Sequence, residues 1–371
     1  MQMDYGSSMK KNKNIVITAG GTGGHIFPAL AVALEFRKMY NDVSLLWIGT
    51  TRNREVELCE KNGIPIVLLD VAGIDRRFTI KNIRALLNFV LEFFRMRALF
   101  KKKNPDAVIA FGGYVCAPVL AAARMCSIPY FIHEQNTVAG IVNRMFASKA
   151  RRVFAGFPIA GSKGLAGLVT ITGTPVRSNT STYETFGYPF GFDKTKKTIL
   201  ICGGSQGAQS MNICLIDAVT TWLSQGFQVM WQTGLPGYED VARKMRGATG
   251  LFVFQTINDL YPYYAAADVV VGRAGASTIS EIAYFGLPCV LIPLPWATEN
   301  HQWMNAGVVE MQGWGIRVRQ DKQCGANTAL AVQRILTDAA VNESMSRKSL
   351  DHAPTNAAAT IVKTMISDCT L

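Results

Sequence analysis

The chain has 371 residues, 49% hydrophobic and 17% charged, which suits about two packed domains and carries no signature of global disorder. Its 38 Lys+Arg against 26 Asp+Glu give +12, yet residues 1–177 hold 24 bases and 11 acids while residues 178–371 hold 14 and 15. A uniform basic coat is excluded, no apolar run reaches the roughly 18 residues of a spanning helix, and the glycines after Ile15-Val16-Ile17 exclude a secretory h-region.

Short β-branched runs alternate with longer helical stretches. In the first half the pattern predicts strands at 14–19, 43–48, 66–69, 107–110, 130–132 and 152–155, and helices at 28–40, 83–102, 117–125 and 139–147. Residues 172–176, Thr-Gly-Thr-Pro-Val, read as a hinge. The second half predicts strands at 198–202, 228–231, 251–254, 269–271 and 289–292, and helices at 208–224, 277–285 and 302–311. The end of the chain turns helical at 328–336, 341–350 and 357–367. Alternation of this kind implies parallel sheets. Residues 15–24 also echo residues 199–207: strand, paired glycines, Ser/Thr, glycine, helix. Two such openings half a chain apart predict an α/β protein of two Rossmann-like, doubly wound parallel-sheet domains. The eight cysteines include no C-x-x-C pair and several sit in apolar runs, so they read as buried reduced thiols, without a disulfide framework or zinc site. Met9 is an alternative start to Met1.

Three strand ends carry glycines: 20–24, 112–113 before Tyr114, and 203–207. Glycine lets a backbone approach a ligand, and the N–H groups of a following helix favour an anion. The dinucleotide pattern G-x-G-x-x-G fails, because Ile26 stands where the third glycine belongs and Gly49-Thr50 follow residues 43–48 in place of an acidic residue. The Walker pattern and a D-x-D pair are absent. A diphosphate held without a metal must draw its positive potential from helix ends and Arg/Lys. No cofactor is expected, and a loosely held divalent cation is left open.

His25 opens the first helix beside glycines, a place suited to a base or a hydrogen-bond partner; a turn-capping histidine is the plainer alternative. His133-Glu134-Gln135-Asn136 follows a strand, where parallel sheets bind ligands, although a polar surface turn would look the same. Glu281 sits early in a helix, where a carboxylate can accept from vicinal ribose hydroxyls or only complement the dipole. Gln302 offers a donor and an acceptor suited to sugar hydroxyls.

Together these motifs resemble the MurG family of bacterial transferases. Gly20-Gly-Thr-Gly-Gly-His25, Gly112-Gly-Tyr114, His133-Glu-Gln-Asn136, Gly173-x-Pro-Val-Arg177, Gly203-Gly-Ser-Gln-Gly207, residues 273–281 and His301-Gln302 occur in that family's order, from about Lys13 to the end. The resemblance implies a GT-B fold, with two Rossmann-like domains facing a cleft. Residues 13–175 would form the acceptor and membrane side, residues 176–355 the donor side, and a C-terminal helix at about 356–371 would cross back. It also implies transfer of N-acetylglucosamine from UDP-N-acetylglucosamine to the 4-hydroxyl of undecaprenyl-pyrophosphoryl-N-acetylmuramyl-pentapeptide, lipid I to lipid II, with inversion. Ile257 would meet the uracil through its backbone and Glu281 the ribose. Ser205 and Arg177 would meet the diphosphate, with Ala276, Ser277, Thr278, Ile279 and Ser280 along it. Asn136, Gln302, Thr22, Gly23 and Gly24 would surround the sugar. Gly112, Gly113 and Tyr114 would lie near the acceptor's diphosphate. Inversion needs a base; His25 is the first choice and Glu134 the second.

Residues 76–103 hold nine bases and one acid. Ile83, Leu87, Val90 and Phe94 follow helical spacing, with Phe93 beside them. Either this is a core helix with a basic end, or it lies on an anionic membrane. The resemblance supports the second reading and a peripheral place on the cytoplasmic face of the bacterial inner membrane. A nucleotide-dependent oxidoreductase, a nucleic-acid binder and a GT-B enzyme acting on another lipid, such as diacylglycerol, are the competing classes. The failed dinucleotide pattern opposes the first. The second lacks interleaved basic and aromatic residues, so no nucleic acid is expected.

Overall fold

Two parallel sheets organise the protein, seen in a computed structural model that describes residues 13–51, 55–73, 80–161, 167–177, 192–204, 207–257 and 259–369. The first sheet contains β1 (Lys13–Thr18), β2 (Val43–Thr50), β3 (Ile66–Leu69), β4 (Ala107–Ala110), β5 (Tyr130–Glu134), β6 (Arg152–Ala155) and β7 (Val169–Ile171), in the order β3-β2-β1-β4-β5-β6-β7. The second contains β8 (Thr198–Cys202), β9 (Gln228–Gln232), β10 (Leu251–Phe254), β11 (Val269–Gly272), β12 (Cys289–Leu291) and β13 (Gly315–Arg317), in the order β10-β9-β8-β11-β12-β13. The two orders repeat one topology, as the echo between residues 15–24 and 199–207 predicts. Central strands such as β4, β8 and β11 are buried along their whole length, so their sequences run almost wholly apolar without alternation.

In each sheet the strand order reverses beside the first strand, at β1/β4 and at β8/β11. A crevice opens outside the carboxyl ends of the strands at such a point. All three predicted glycine loops fall there. The loop after β1 leads into α1 (Gly23–Met39), and the loop after β4 leads into α4 (Cys116–Met125). The loop after β8 leads into α6 (Gln209–Ser224), and residues 273–275 after β11 lead into α9 (Ala276–Tyr284).

The first two loops press on each other. A Cβ on Gly113, whose φ is +91, would stand 2.3 Å from the Gly20 carbonyl oxygen, and Gly20 N–H donates to the Gly112 carbonyl at 3.2 Å. Gly113→Ala combines a left-handed strain with a backbone clash. It should cost about 2 kcal/mol or more, read as a lowered Tm.

The remaining helices are α2 (Glu55–Lys61), α3 (Ile80–Lys103), α5 (Ile141–Ala147), α7 (Tyr238–Lys244), α8 (Tyr261–Ala265), α10 (His301–Gln312), α11 (Cys324–Thr337), α12 (Ala339–Asp351) and α13 (Ala357–Asp368). Helix α13 follows the second domain in sequence but packs on the first. Ile361, Val362 and Met365 join the core formed by β1 and α1, and Arg152 grips Asp368 with two hydrogen bonds at 2.7 and 3.2 Å. All eight cysteines are free.

Several elements escape the sequence pattern. Strands β7 and β13 have three residues each, and α2, α7 and α8 have seven or fewer, too short to display a period. Helix α1 begins five residues before the expected Pro28, so that proline lies inside it.

Candidate active site

The two sheets turn their switch points toward one another across a cleft. Its outer part, about 920 Å³, is lined from the first domain by residues 21–25, Gly113, Tyr114, Gln135 and Asn136. The second domain supplies residues 207–210, Arg273, residues 275–278, Trp296, His301 and Gln302. An inner pocket of about 330 Å³ continues past Gly24 and Ser277 to Arg177, Ile257, Leu260, Tyr264 and Glu281.

His25 lies in the first turn of α1. Its Nδ1–H donates to the Gly20 carbonyl at 2.8 Å. A carbonyl can only accept, so in the neutral ring Nε2 carries the lone pair. The ring lies against Gly112, where a Cβ would come within 3.1 Å of Nε2. Three residues on, Pro28 has no N–H for the Gly24 carbonyl, its helical partner. That oxygen accepts from the Ser277 hydroxyl of the other domain at 3.1 Å. A proline inside the helix thus frees the acceptor that ties α1 to α9.

The start of α9 faces the cleft with no side-chain cap. Its first N–H groups and dipole make positive potential there. Arg273 adds a cation: its guanidinium donates to the carbonyls of Ile292 and Pro293, to Gln320 and to Ser210. Burial lowers its pKa, but a guanidinium remains charged at neutral pH. Arg177 stands over the Tyr261 ring and donates to Asp259 at 3.0 Å. Burial pushes the Glu281 carboxyl up to about 7, against the opposing pull of Arg177 and a hydrogen bond from the Tyr264 hydroxyl at 3.3 Å.

Residues 15–155 match the Glycosyltransferase family 28 N-terminal domain, and residues 198–365 match its C-terminal domain. The Bacillus subtilis UDP-N-acetylglucosamine–N-acetylmuramyl-(pentapeptide) pyrophosphoryl-undecaprenol N-acetylglucosamine transferase is 35% identical over 350 residues, 93% of this chain and 96% of the relative. The chain belongs to glycosyltransferase family 28. Among solved structures, Acinetobacter baumannii MurG superposes with a TM-score of 0.74 at 29% identity, over 96% of this chain and 99% of that one. The calicheamicin glycosyltransferase CalG4, at 17% identity and a TM-score of 0.68 over 97% of this chain and 99% of that one, shares the fold. The two facing parallel-sheet domains are the GT-B arrangement.

Most residues singled out in this family 28 chain converge on the cleft. Thr22, Gly23, Gly24, Ser277 and Thr278 line both parts; Ala276, Asn136, Gln302, His25, Gly113 and Tyr114 line the outer part; Arg177, Ile257 and Glu281 line the inner part. Gly112 backs the His25 ring. Ser205 lies outside the described residues. Ile279 and Ser280 line neither part, because helical periodicity turns both side chains into the protein. Arg177, expected at the diphosphate, lines the inner pocket with Ser277, Thr278 and Glu281.

Glu134 does not suit the role of base. It is 2% exposed, lies inside β5 and lines no part of the cleft. One carboxylate oxygen accepts from Asn136 N and Nδ2; the other accepts from Gly140 N and Asn143 Nδ2. It folds the turn that presents Asn136. Its neighbour His133 is also buried, with Nε2 donating to the Gly173 carbonyl, and burial lowers its pKa to about 4.

Asn305, which no sequence motif marks, is fully buried. Its Oδ1 accepts from both N and Oγ1 of Thr137, and its Nδ2 donates to Asn136 Oδ1 and the Ala274 carbonyl. It is one helical turn from Gln302, the only signal available. Gln302 Oε1 accepts from Leu294 N at 2.9 Å, which leaves its amide nitrogen to donate to the cleft.

Proposed function

We propose that this chain transfers N-acetylglucosamine from UDP-N-acetylglucosamine to the 4-hydroxyl of undecaprenyl-pyrophosphoryl-N-acetylmuramyl-pentapeptide, with inversion at the anomeric carbon. One observation carries the reading: the inner pocket joins a carboxylate to a helix N-terminus, and the outer cleft places His25 opposite that same N-terminus. The family relationship supports the choice of donor and acceptor.

UDP lies in the inner pocket, with the uracil on the Ile257 backbone and the ribose diol on Glu281. The diphosphate meets the first N–H groups of α9, with Arg273 nearby as a cation. Arg177, which donates to Asp259 through Nη2, offsets the charge of the ribose carboxylate. Asn136, Gln302 and the 22–24 turn hold the sugar. His25 Nε2 takes the proton from the muramyl 4-hydroxyl as that oxygen bonds to the anomeric carbon. The bond to the UDP oxygen breaks, and its new negative charge falls on the helix end. No resident cofactor is invoked. Gly112, Gly113 and Tyr114 take the acceptor side. The test is incubation with labelled UDP-N-acetylglucosamine and short-chain lipid I; the disaccharide lipid is the expected product. Transfer to diacylglycerol instead would identify a different acceptor.

No helix among the described residues is long and apolar enough to cross a membrane. A peripheral place on the cytoplasmic leaflet, where the lipid acceptor lies, is supported by α3. Ile83, Leu86, Leu87, Val90, Leu91 and Phe94 are exposed along it, and Lys101, Lys102 and Lys103 close its last turn. Phe93, expected with this group, packs inward against the first domain's core instead. Replacing both Leu87 and Phe94 with Glu should cut liposome binding at least tenfold, since each buried apolar side chain contributes about 1.5–3 kcal/mol. Binding that ignores the change, the anionic-lipid content and salt would remove α3 from this role.

A further inference from the structure

Helix α10 begins on a backbone that side chains rarely adopt. Glu299 (φ 51, ψ 26) and Asn300 (φ 56, ψ 25) are consecutive left-handed residues, and neither is glycine. Such a pair persists where its surroundings hold it, and strain of this kind gathers at sites that bind or move. Part of the hold comes from the other domain. Arg144, in α5, donates Nη1 to Oε2 and Nη2 to Oε1 of Glu299, both at 2.8 Å. This is the two-pronged guanidinium–carboxylate geometry, which fixes direction as well as distance.

The strained turn leads directly into His301 and Gln302, both on the outer cleft. Asn305 then carries the second grip of the first domain, through Thr137 and Asn136. The first turn of α10 is therefore held across the cleft at both ends. Asn305 is fully buried, whereas the Arg144–Glu299 pair is 47% and 33% exposed, beside Thr298 and His301, which line the outer cleft. The exposed pair is the one that salt can weaken and that opening of the cleft would break first.

We propose that Arg144 and Glu299 form a latch across the cleft mouth that fixes the left-handed turn and thereby aims Gln302 at the donor sugar. Arg144 is then a positioning residue for the sugar, with no part in holding the nucleotide. The proposal rests on the donor-site reading above, with the sugar in the outer cleft.

The experiment is calorimetric titration of the full chain with UDP and with UDP-N-acetylglucosamine, for wild type, Arg144→Ala, Glu299→Ala, the double variant and Glu299→Gly. Arg144→Ala should weaken the sugar nucleotide about three- to tenfold and leave UDP within about twofold. Glu299→Ala should match it, and the double variant should be no worse than either single change. Glu299→Gly should recover part of the loss, because glycine adopts the turn without strain. Raising salt should shrink the difference between wild type and Arg144→Ala. Equal weakening of both ligands, no weakening of either, or additive losses in the double variant would overturn the latch. A wild-type chain that binds neither ligand would instead overturn the donor-site reading, and the latch with it.

Discussion

His25→Ala should cut kcat by about a hundred- to ten-thousandfold while leaving donor affinity near that of wild type. The reason is geometric. Nδ1 is committed to the Gly20 carbonyl, so the lone pair sits on Nε2, on the side of the ring that Gly112 leaves clear. The inner pocket, where the nucleotide would bind, is lined by residues other than His25. Loss of the ring therefore removes a proton acceptor without removing a contact to the nucleotide. His25→Gln keeps a hydrogen-bonding side chain but no base, and should be as slow as alanine. The contrast is Glu134→Gln. An amide would turn an N–H2 toward the N–H groups of Asn136 or Gly140, and one buried donor left unpaired costs about 1–3 kcal/mol. That variant should show a lower Tm and weaker donor binding. Single-turnover rates with saturating donor separate the two cases, and near-normal kcat in His25→Ala would remove His25 from the chemistry.

Donor binding should tighten as pH rises through about 7, and Glu281→Gln should flatten that profile. Burial holds the carboxyl above its ordinary value of 4.5, so the empty protein keeps it protonated further into the neutral range. With the folded value raised, the stability contributed by the protonated form is complete below the unfolded value and is lost as pH rises through about 7. A ribose diol donating two hydrogen bonds favours the charged form, so binding lowers the pKa and releases a proton near neutrality. Glu281→Ala should raise donor KM by about ten- to a hundredfold, the equivalent of about 1.5–3 kcal/mol for a lost charged acceptor, with little change in kcat. The empty Glu281→Gln chain should also lose less stability than wild type between about pH 4.5 and pH 7. Donor titrations between about pH 6 and pH 8, in buffers of different ionisation enthalpy, check both the profile and the proton release.

The sequence alone determined the scaffold and the location of the cleft. Strand, glycine loop and helix are local patterns: the burial of β1, β4, β8 and β11 and the glycines after them can each be read within about ten residues. Because the pattern occurs twice, the two switch points were legible, and with them His25, Ser277, Glu281 and Gln302. What the sequence could not reveal is which polar atoms remain available once the chain has closed. Glu134 reads as a catalytic acid-base residue until four donors from its own turn and from α5 occupy it. Phe93 reads as part of the lipid-facing stripe until the core claims it. No local pattern marks Asn305 or Arg144, yet through Thr137 and Glu299 they tie α10 to the first domain across more than 150 residues of chain. The tertiary structure alone decides such pairings, because a hydrogen bond or a bidentate ion pair depends on two side chains meeting within about 3 Å, and no local period encodes that distance.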